Sequence, residues 1–268
     1  MINVGVIGYG TIGEDVAEAL RGGQAGDAVL SAVLVRDISK YRDRDDLRSV
    51  MTEDADDFLS RGLDIVVECA GHHAVSAWGE RVLQSGADLI IVSVGAFADD
   101  ALLARILEAA KASGRKVIVP SAAIGGLDRI AAGSIGPIDE VTLVTRKPPK
   151  AWYGTLVEQQ VDLAALTEPY LAFEGVARDA AKLFPESVNV SAALSLAGVG
   201  LDATKVKVYA DPTVTRNTHE IEAKGHFGQI KLQIQNTPSA RNPKTGYIVA
   251  MSVVKTIRDL TSPFVIGV

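Results

Sequence analysis

A chain of 268 residues can bury a sizeable core, and its length suits two domains or one domain plus an insertion. Ordinary apolar content and a net charge of −6 argue against a nucleic-acid or membrane-surface role, although a local basic cluster can still hold an anionic substrate. The single cysteine, Cys69, rules out an internal disulfide and fits a reducing compartment.

The chain runs straight into a strand pattern with no signal-peptide features, and no apolar run is long enough to span a bilayer. The expected location is the cytoplasm. Val4, Val6 and Ile7 read as a short buried strand, and residues 14–20 as a helix. Between them Gly8, Gly10 and Gly13 give the G-x-G-x-x-G spacing, with Thr11 and Ile12 inside it. Gly8 permits a tight turn, Gly10 lets a pyrophosphate approach the backbone, and Gly13 lets helix and strand pack closely. The helix N-terminus offers N–H groups and a positive dipole end to phosphates. Its strand-to-helix context makes this glycine motif a dinucleotide site.

Residues 29–35 read as a second strand, closing in Arg36-Asp37. An acidic residue here binds the adenosine ribose hydroxyls and an arginine can hold a 2′-phosphate, so Asp37 favours NAD while Arg36 admits NADP. Residues 40–48 are mostly charged and read as a surface turn. Residues 52–60 read as a short helix with Thr52 as N-cap. Strands are expected at 64–68, 89–94 and 116–119, and helices at 74–83 and 100–112, the latter burying Leu102, Leu103, Ile106, Leu107 and Ala110. Strands alternating with helices imply a parallel sheet covered on both faces, with ligands at the carboxyl ends of the strands. Loops 8–13, 69–73, 93–97 and 120–126 should therefore line one crevice.

After residue 126 the pattern changes. Residues 127–134 suggest a short helix. Residues 141–147 alternate, with Val141, Leu143, Thr145 and Lys147 on one face. Residues 156–159 and 162–166 are ambiguous, and 187–196 read as an alanine-rich helix. Alternating strands at 205–210, 213–223 and 227–235 imply an antiparallel sheet with one covered face. Asn242-Pro243 is expected to open a final helix with an apolar stripe of Tyr247, Ile248, Met251, Val254 and Ile257. The expected fold class is α/β: a doubly wound parallel sheet of Rossmann type plus a smaller α+β domain with an antiparallel sheet. The expected boundaries are 1–125 for dinucleotide binding, 126–240 for catalysis and dimerisation, and 241–268 for a helix returning to the first domain.

In residues 215–223 the alternation puts Thr215, Asn217 and His219 on a sheltered face with Ile221 and Ala223, and Arg216, Thr218, Glu220 and Glu222 on the other. A histidine there is a candidate general base or a hydrogen-bonded core residue. His72 and His73 end a central strand and are candidates for the nicotinamide ribose or the substrate. They do not complete a metal set, and no metal is expected. His226 reads as a turn residue. Cys69 is a candidate nucleophile, but a lone cysteine at a strand end is more simply a small packing residue. Arg146, Lys147, Lys150, Arg216, Arg241 and Lys244 are the cations outside the first domain, and two or more should converge on a dicarboxylate.

The chain resembles the L-aspartate dehydrogenases that feed NAD biosynthesis. The resemblance covers nearly its whole length and rests on the segments 6–13, 68–71 (Glu-Cys-Ala-Gly), 120–128, 184–193, 216–221 (Arg-Asn-Thr-His-Glu-Ile) and 241–245. It implies that His219 is the active-site histidine, and that Ala123 and Asn189 contact the nicotinamide cofactor, NAD or NADP. Cys69, Ala70 and Gly71 fall in a cofactor loop. The implied reaction is oxidative deamination of L-aspartate: a hydride passes to the nicotinamide, and iminoaspartate is released or hydrolysed to oxaloacetate and ammonia. Lys147 or Arg216 is the candidate for a substrate carboxylate, with His72, Asn217 and Thr218 as further substrate candidates. A homodimer through the second domain's sheet is expected. The rival readings are a homoserine-dehydrogenase-like or dihydrodipicolinate-reductase-like enzyme and a non-catalytic dinucleotide sensor.

Overall fold

The computed structural model describes residues 1–184 and 188–267. The chain divides into two compact units: residues Met1–Ala122 with Val249–Val268, and residues Ala123–Ile248.

The first unit carries a six-stranded parallel sheet in the order β3-β2-β1-β4-β5-β6. Its strands are β1 (Ile2–Ile7), β2 (Ala28–Leu34), β3 (Met51–Thr52), β4 (Ile65–Glu68), β5 (Asp88–Ile91) and β6 (Val117–Ile118). The crossovers carry α1 (Thr11–Arg21), α2 (Ala55–Ser60), α3 (His72–Gln84) and α4 (Asp100–Ser113). Near-continuous apolar strands such as Ile65-Val66-Val67 are fully buried because helices cover both faces. Strand order reverses between β1 and β4, the switch point where such sheets bind ligands.

Several sequence expectations shift here. Thr52 is not the cap of α2; it ends β3, and Asp54 caps instead, accepting from the N–H groups of Asp56 and Asp57. Residues 40–48 are mostly exposed turn, as expected, with 3₁₀ turns at Ile38–Tyr41 and Asp45–Leu47, but Leu47 is fully buried against Tyr9, Val33 and Val35. The strand expected at 89–94 stops at Ile91, and residues Val94–Ala98 form a buried 3₁₀ turn. On α4 the buried stripe is Leu102, Ile106, Ala109 and Ala110, leaving Leu107 exposed.

The last helix, α8 (Tyr247–Thr261), belongs to the first unit from Val249 onward. It starts at Tyr247, not at Pro243, and residues 242–246 form a turn that precedes it. Its buried face is Val249, Ala250, Val253 and Ile257; Tyr247, Ile248 and Met251 of the expected stripe are exposed. Within the first unit the Ser252 hydroxyl accepts from the Ala122 N–H, and the Thr261 hydroxyl accepts from that of Asp27.

The second unit holds a five-stranded sheet, ordered β11-β10-β7-β9-β8. The strands are β7 (Ile138–Lys147), β8 (Tyr170–Val176), β9 (Lys205–Ala210), β10 (Thr218–Gly225) and β11 (Gly228–Gln235). The sheet is mixed, not purely antiparallel, because β7 and β9 run parallel. Their connection passes through β8 and two helices, which allows the parallel crossover. Strand β8 went unexpected, its residues being half-buried without clean alternation.

Helices α5 (Leu127–Gly133), α6 (Ala177–Leu183) and α7 (Val188–Ala197) join the sheet in this unit. The expected start of α7 at Ser187 lies outside the described residues. Buried Ser191, Ala192, Ala193 and Ser195 make α7 a small-residue helix that can approach β7 closely. Against these helices the sheet turns Val141, Leu143, Val206, Val208, Ile221 and Ala223, all buried. Its other face is charged and paired within itself, as in Lys205–Glu140, Lys207–Glu174 and Arg146–Glu220.

Candidate active site

In the first unit the residues of the glycine motif meet at the carboxyl edge of β1. Gly8 has φ +92°, and a Cβ there would lie 2.9 Å from the Cα of Ala70. A Cβ on Gly13 would lie 2.0 Å from the Gly8 carbonyl oxygen and 3.0 Å from Cys69 Sγ. Gly10 is exposed, with nothing within 4 Å of an added Cβ. Thus two glycines are demanded by close approach of the chain to itself, and the third leaves open space.

Gly10 is the N-cap of α1 and supplies no side-chain cap, so the first-turn N–H groups beside Thr11 and Ile12 await an acceptor. Asp54 caps α2 and Asp99 caps α4, whose first N–H groups are already satisfied. The exposed cradle at Gly10 and the uncapped α1 fit a pyrophosphate.

Arg36 is exposed past the end of β2, and Asp37 is half-buried beside it. Asp37 Oδ1 accepts from the Ser39 N–H at 3.0 Å and the Ser39 hydroxyl at 2.6 Å. These bonds hold its carboxyl below the usual range. Tyr41 donates from its hydroxyl to the Tyr9 carbonyl at 3.1 Å, and Arg44 lies over the Tyr9 ring and pairs with Glu14 at 2.9 Å. The loop after β2 is thereby tied to the glycine loop and to α1.

Cys69 faces the backbone: Sγ lies 3.4 Å from the Ile7 carbonyl oxygen and 3.5 Å from that of Gly8. Burial and the adjacent Glu68 push its thiol up, so it is no thiolate nucleophile. The N–H groups of Ala70 and Gly71 both donate to Glu68, which leaves them none to offer a ligand. His72 and His73 are exposed in the first turn of α3 and do not end a strand. Among the described residues no cluster of three or more His, Cys, Asp or Glu side chains could hold a metal ion.

In the second unit His219 sits one residue inside β10, buried, directly opposite Thr145 on β7 and Ile234 on β11. Alternation places Lys147 on the same face of β7 as Thr145, and Lys147 is only 7 % exposed. His219 Nδ1 and Thr145 Oγ1 share a hydrogen bond of 3.1 Å. A hydroxyl can donate or accept, so Thr145 serves either ring tautomer and leaves Nε2 for chemistry. Burial, and then the charge of Lys147, lower the His219 pKa to about 4, so the imidazole is neutral at physiological pH. Lys147 Nζ lies over the Trp152 ring, 4.8 Å from its centroid, and Trp152 is fully buried. A buried neutral base beside a buried ammonium can take a proton and hold an anion at one place.

The remaining candidates are less concentrated. The segment 213–217 is not strand: Thr215 and Arg216 are exposed, and the sheltered face begins with His219. Thr218 is buried rather than outward, its hydroxyl donating to the Arg216 carbonyl at 3.2 Å. Arg216 donates to Thr237 Oγ1 at 3.1 Å. Arg146 faces away from His219 and pairs with Asp211 and Glu220. Lys150, Arg241 and Lys244 are exposed, and so is Asn189, early in α7. His226 lies in the β10–β11 turn.

Two positioning groups escaped the sequence reading. Asn236 donates from Nδ2 to the Ala123 carbonyl at 2.7 Å and from its N–H to the Asn217 carbonyl at 3.2 Å. It ties the Ala123 segment to the entrance of β10, and no pattern marks an asparagine just past a strand for that role. Glu68 did carry a signal, as a carboxylate closing the apolar run Ile65-Val66-Val67.

Two family models cover most of the chain: the C-terminal domain of aspartate dehydrogenase matches residues 128–260, and the NAD-binding domain of homoserine dehydrogenase matches residues 8–120. An L-aspartate dehydrogenase of Brucella anthropi is 41% identical over 261 residues, which is 97% of this chain and 97% of that protein. The crystal structure of an aspartate dehydrogenase from Thermotoga maritima superposes with a TM-score of 0.79 at 28% identity, covering all of both chains. A homoserine dehydrogenase from Thiobacillus denitrificans gives a TM-score of 0.60 at 15% identity, covering 98% of this chain and 74% of that one, a likeness of fold alone.

Proposed function

The chain belongs to the aspartate dehydrogenase family of NAD(P)-dependent oxidoreductases, and on that premise we propose that it oxidatively deaminates L-aspartate with His219 as acid/base and Lys147 as a carboxylate anchor. The observation that carries this reading is the pairing of a buried neutral imidazole with a buried ammonium on one sheet face. Lys147 holds a carboxylate of the substrate by a charge-assisted bond, its position supported by the Trp152 ring. The incoming carboxylate offsets the charge that depresses His219, so binding itself tunes the base toward neutral pH. His219 Nε2 then takes a proton at the substrate's amino nitrogen or from the water that attacks the imine carbon. Bound NAD or NADP would supply the hydride acceptor.

In the first unit the open N-terminus of α1, at Gly10, Thr11, Ile12 and Gly13, takes the pyrophosphate. Asp37 takes the ribose hydroxyls, so NAD is preferred, and Arg36 admits NADP. Ala123 and Asn189 contact the nicotinamide, in line with the resemblance. Arg216, Asn217, Thr218 and His72 are assigned no more than accessory contact with the substrate. The lone cysteine fits a cytoplasmic setting.

Nicotinamide reduction should occur with L-aspartate and not with D-aspartate, L-glutamate, L-alanine or L-homoserine, and faster with NAD than with NADP. Reduction on L-homoserine in place of L-aspartate overturns the substrate. Cofactor binding without turnover on any of them favours the sensor reading. We also propose a homodimer through the open face of the second unit's sheet. Light scattering should return twice the chain mass, and a monomer mass disposes of it.

A further inference from the structure

Glu68 ends β4, the first strand beyond the switch point, with only 1% of its surface exposed. Its carboxylate accepts four hydrogen bonds. Oε1 takes the N–H groups of Ala70 at 2.7 Å and Gly71 at 2.8 Å and the Ser93 hydroxyl at 3.0 Å; Oε2 takes the Ser93 N–H at 3.1 Å. Three of the four donors are backbone N–H groups that cannot reverse their role, so the set matches an acceptor-only, ionised carboxylate. Burial acts the other way and raises the carboxyl above its ordinary value. Of the titratable groups on the elements around it, Cys69 follows it along the chain, α3 carries His72, His73, Glu80 and Arg81, and β5 carries Asp88; β1 and residues 93–98 carry none.

The four bonds join the loop after β4 to the loop after β5. The first of these loops packs on the glycine loop, since a Cβ on Gly8 would meet Ala70 Cα at 2.9 Å. The carboxylate takes the N–H groups of Ala70 and Gly71, the two residues before α3, whereas Asp54 and Asp99 take first-turn N–H groups of α2 and α4. Helices α1 and α3 both start without a side-chain cap, and α1 is the one that follows the glycine loop.

We propose that Glu68 is a positioning residue for the dinucleotide: it locks the two loops into one rim against the glycine loop, which leads into the open N-terminus of α1 that takes the pyrophosphate. The inference rests on the dinucleotide reading of the first unit. In Glu68→Gln the side-chain amide has to turn an N–H toward a backbone N–H, so the four-donor set is broken at nearly constant size.

The test uses the full chain. Affinity for NAD and NADH is measured by calorimetry and NADH fluorescence from pH 5 to 8, with steady-state kinetics alongside. For Glu68→Gln the Kd should rise at least about tenfold, with kcat at saturating cofactor little changed. Wild-type affinity should fall as the pH drops and Glu68 takes up a proton, whereas the variant's weaker affinity stays flat. Wild-type affinity in the variant, or a wild-type pH slope surviving in it, overturns the proposal. Ser93→Ala removes one donor and keeps the carboxylate, so it decides the matter if Glu68→Gln does not fold: a loss of about threefold supports the proposal and no loss overturns it. A wild-type protein that binds neither nucleotide overturns the reading of the first unit, and this inference with it.

Discussion

Replacing His219 with alanine should lower kcat by about 10²–10⁴-fold while NAD affinity stays nearly unchanged. The two effects separate because His219 lies in the second unit, and the glycine motif with its open helix end lies in the first. The pH profile adds a sharper check. Burial and the Lys147 ammonium hold the free-protein pKa at about 4, so the acid limb of kcat/KM should fall near that value. A bound carboxylate beside Lys147 removes part of the repulsion, so the limb of kcat should lie at higher pH. Stability carries the same signature. The unfolded chain takes up the proton near 6.5 and the native one only near 4, so stability falls as pH drops through that window. His219→Ala should flatten this slope. A folded variant that loses turnover and NAD affinity equally, or that keeps the acid limb, would count against the assigned role.

Gly13→Ala should abolish measurable dinucleotide binding and destabilise the first unit by about 1–3 kcal/mol. The added methyl would stand 2.0 Å from the Gly8 carbonyl oxygen, a backbone atom, so the strand-to-helix turn itself has to move. Gly10→Ala makes the opposite case. Nothing lies within 4 Å of its Cβ, so the variant should melt like the wild type yet bind NAD more weakly, because the methyl takes the space the pyrophosphate uses. Thermal melts and calorimetry on the pair separate packing from ligand clearance. A Gly13→Ala protein with wild-type melting and affinity would refute the close-packing argument.

Much of the first unit is legible from local chemistry. Glycines at fixed spacing, apolar runs and punctuating loops need no distant partner to be read. Failures there come from tertiary packing: Leu47 is drawn into the core from a charged stretch, and Leu107 is apolar but faces outward. On α8 the stripe of Tyr247, Ile248 and Met251 has the right period and the wrong phase, since period alone does not say which face meets the protein. In the second unit, alternation correctly puts Val141, Leu143, Thr145 and Lys147 on one buried face. It does not reveal which strands are neighbours. That β10 lies beside β7, bringing Thr145 and Lys147 to His219, depends on a pairing 74 residues apart for Thr145. Asn236 is invisible for the same reason, as its partners Ala123 and Asn217 are distant along the chain.

The first unit closes with residues from both ends of the chain, Met1–Ala122 and Val249–Val268. A ribosome adding about 5–20 residues per second makes the second unit between them. For several seconds the parallel sheet waits without α8, and the contacts of Ser252 and Thr261 with Ala122 and Asp27 are unmade. The usual order, in which an N-terminal domain is finished before the next begins, is therefore inverted. The unit carrying His219 can complete its fold while the unit carrying the glycine motif is still open.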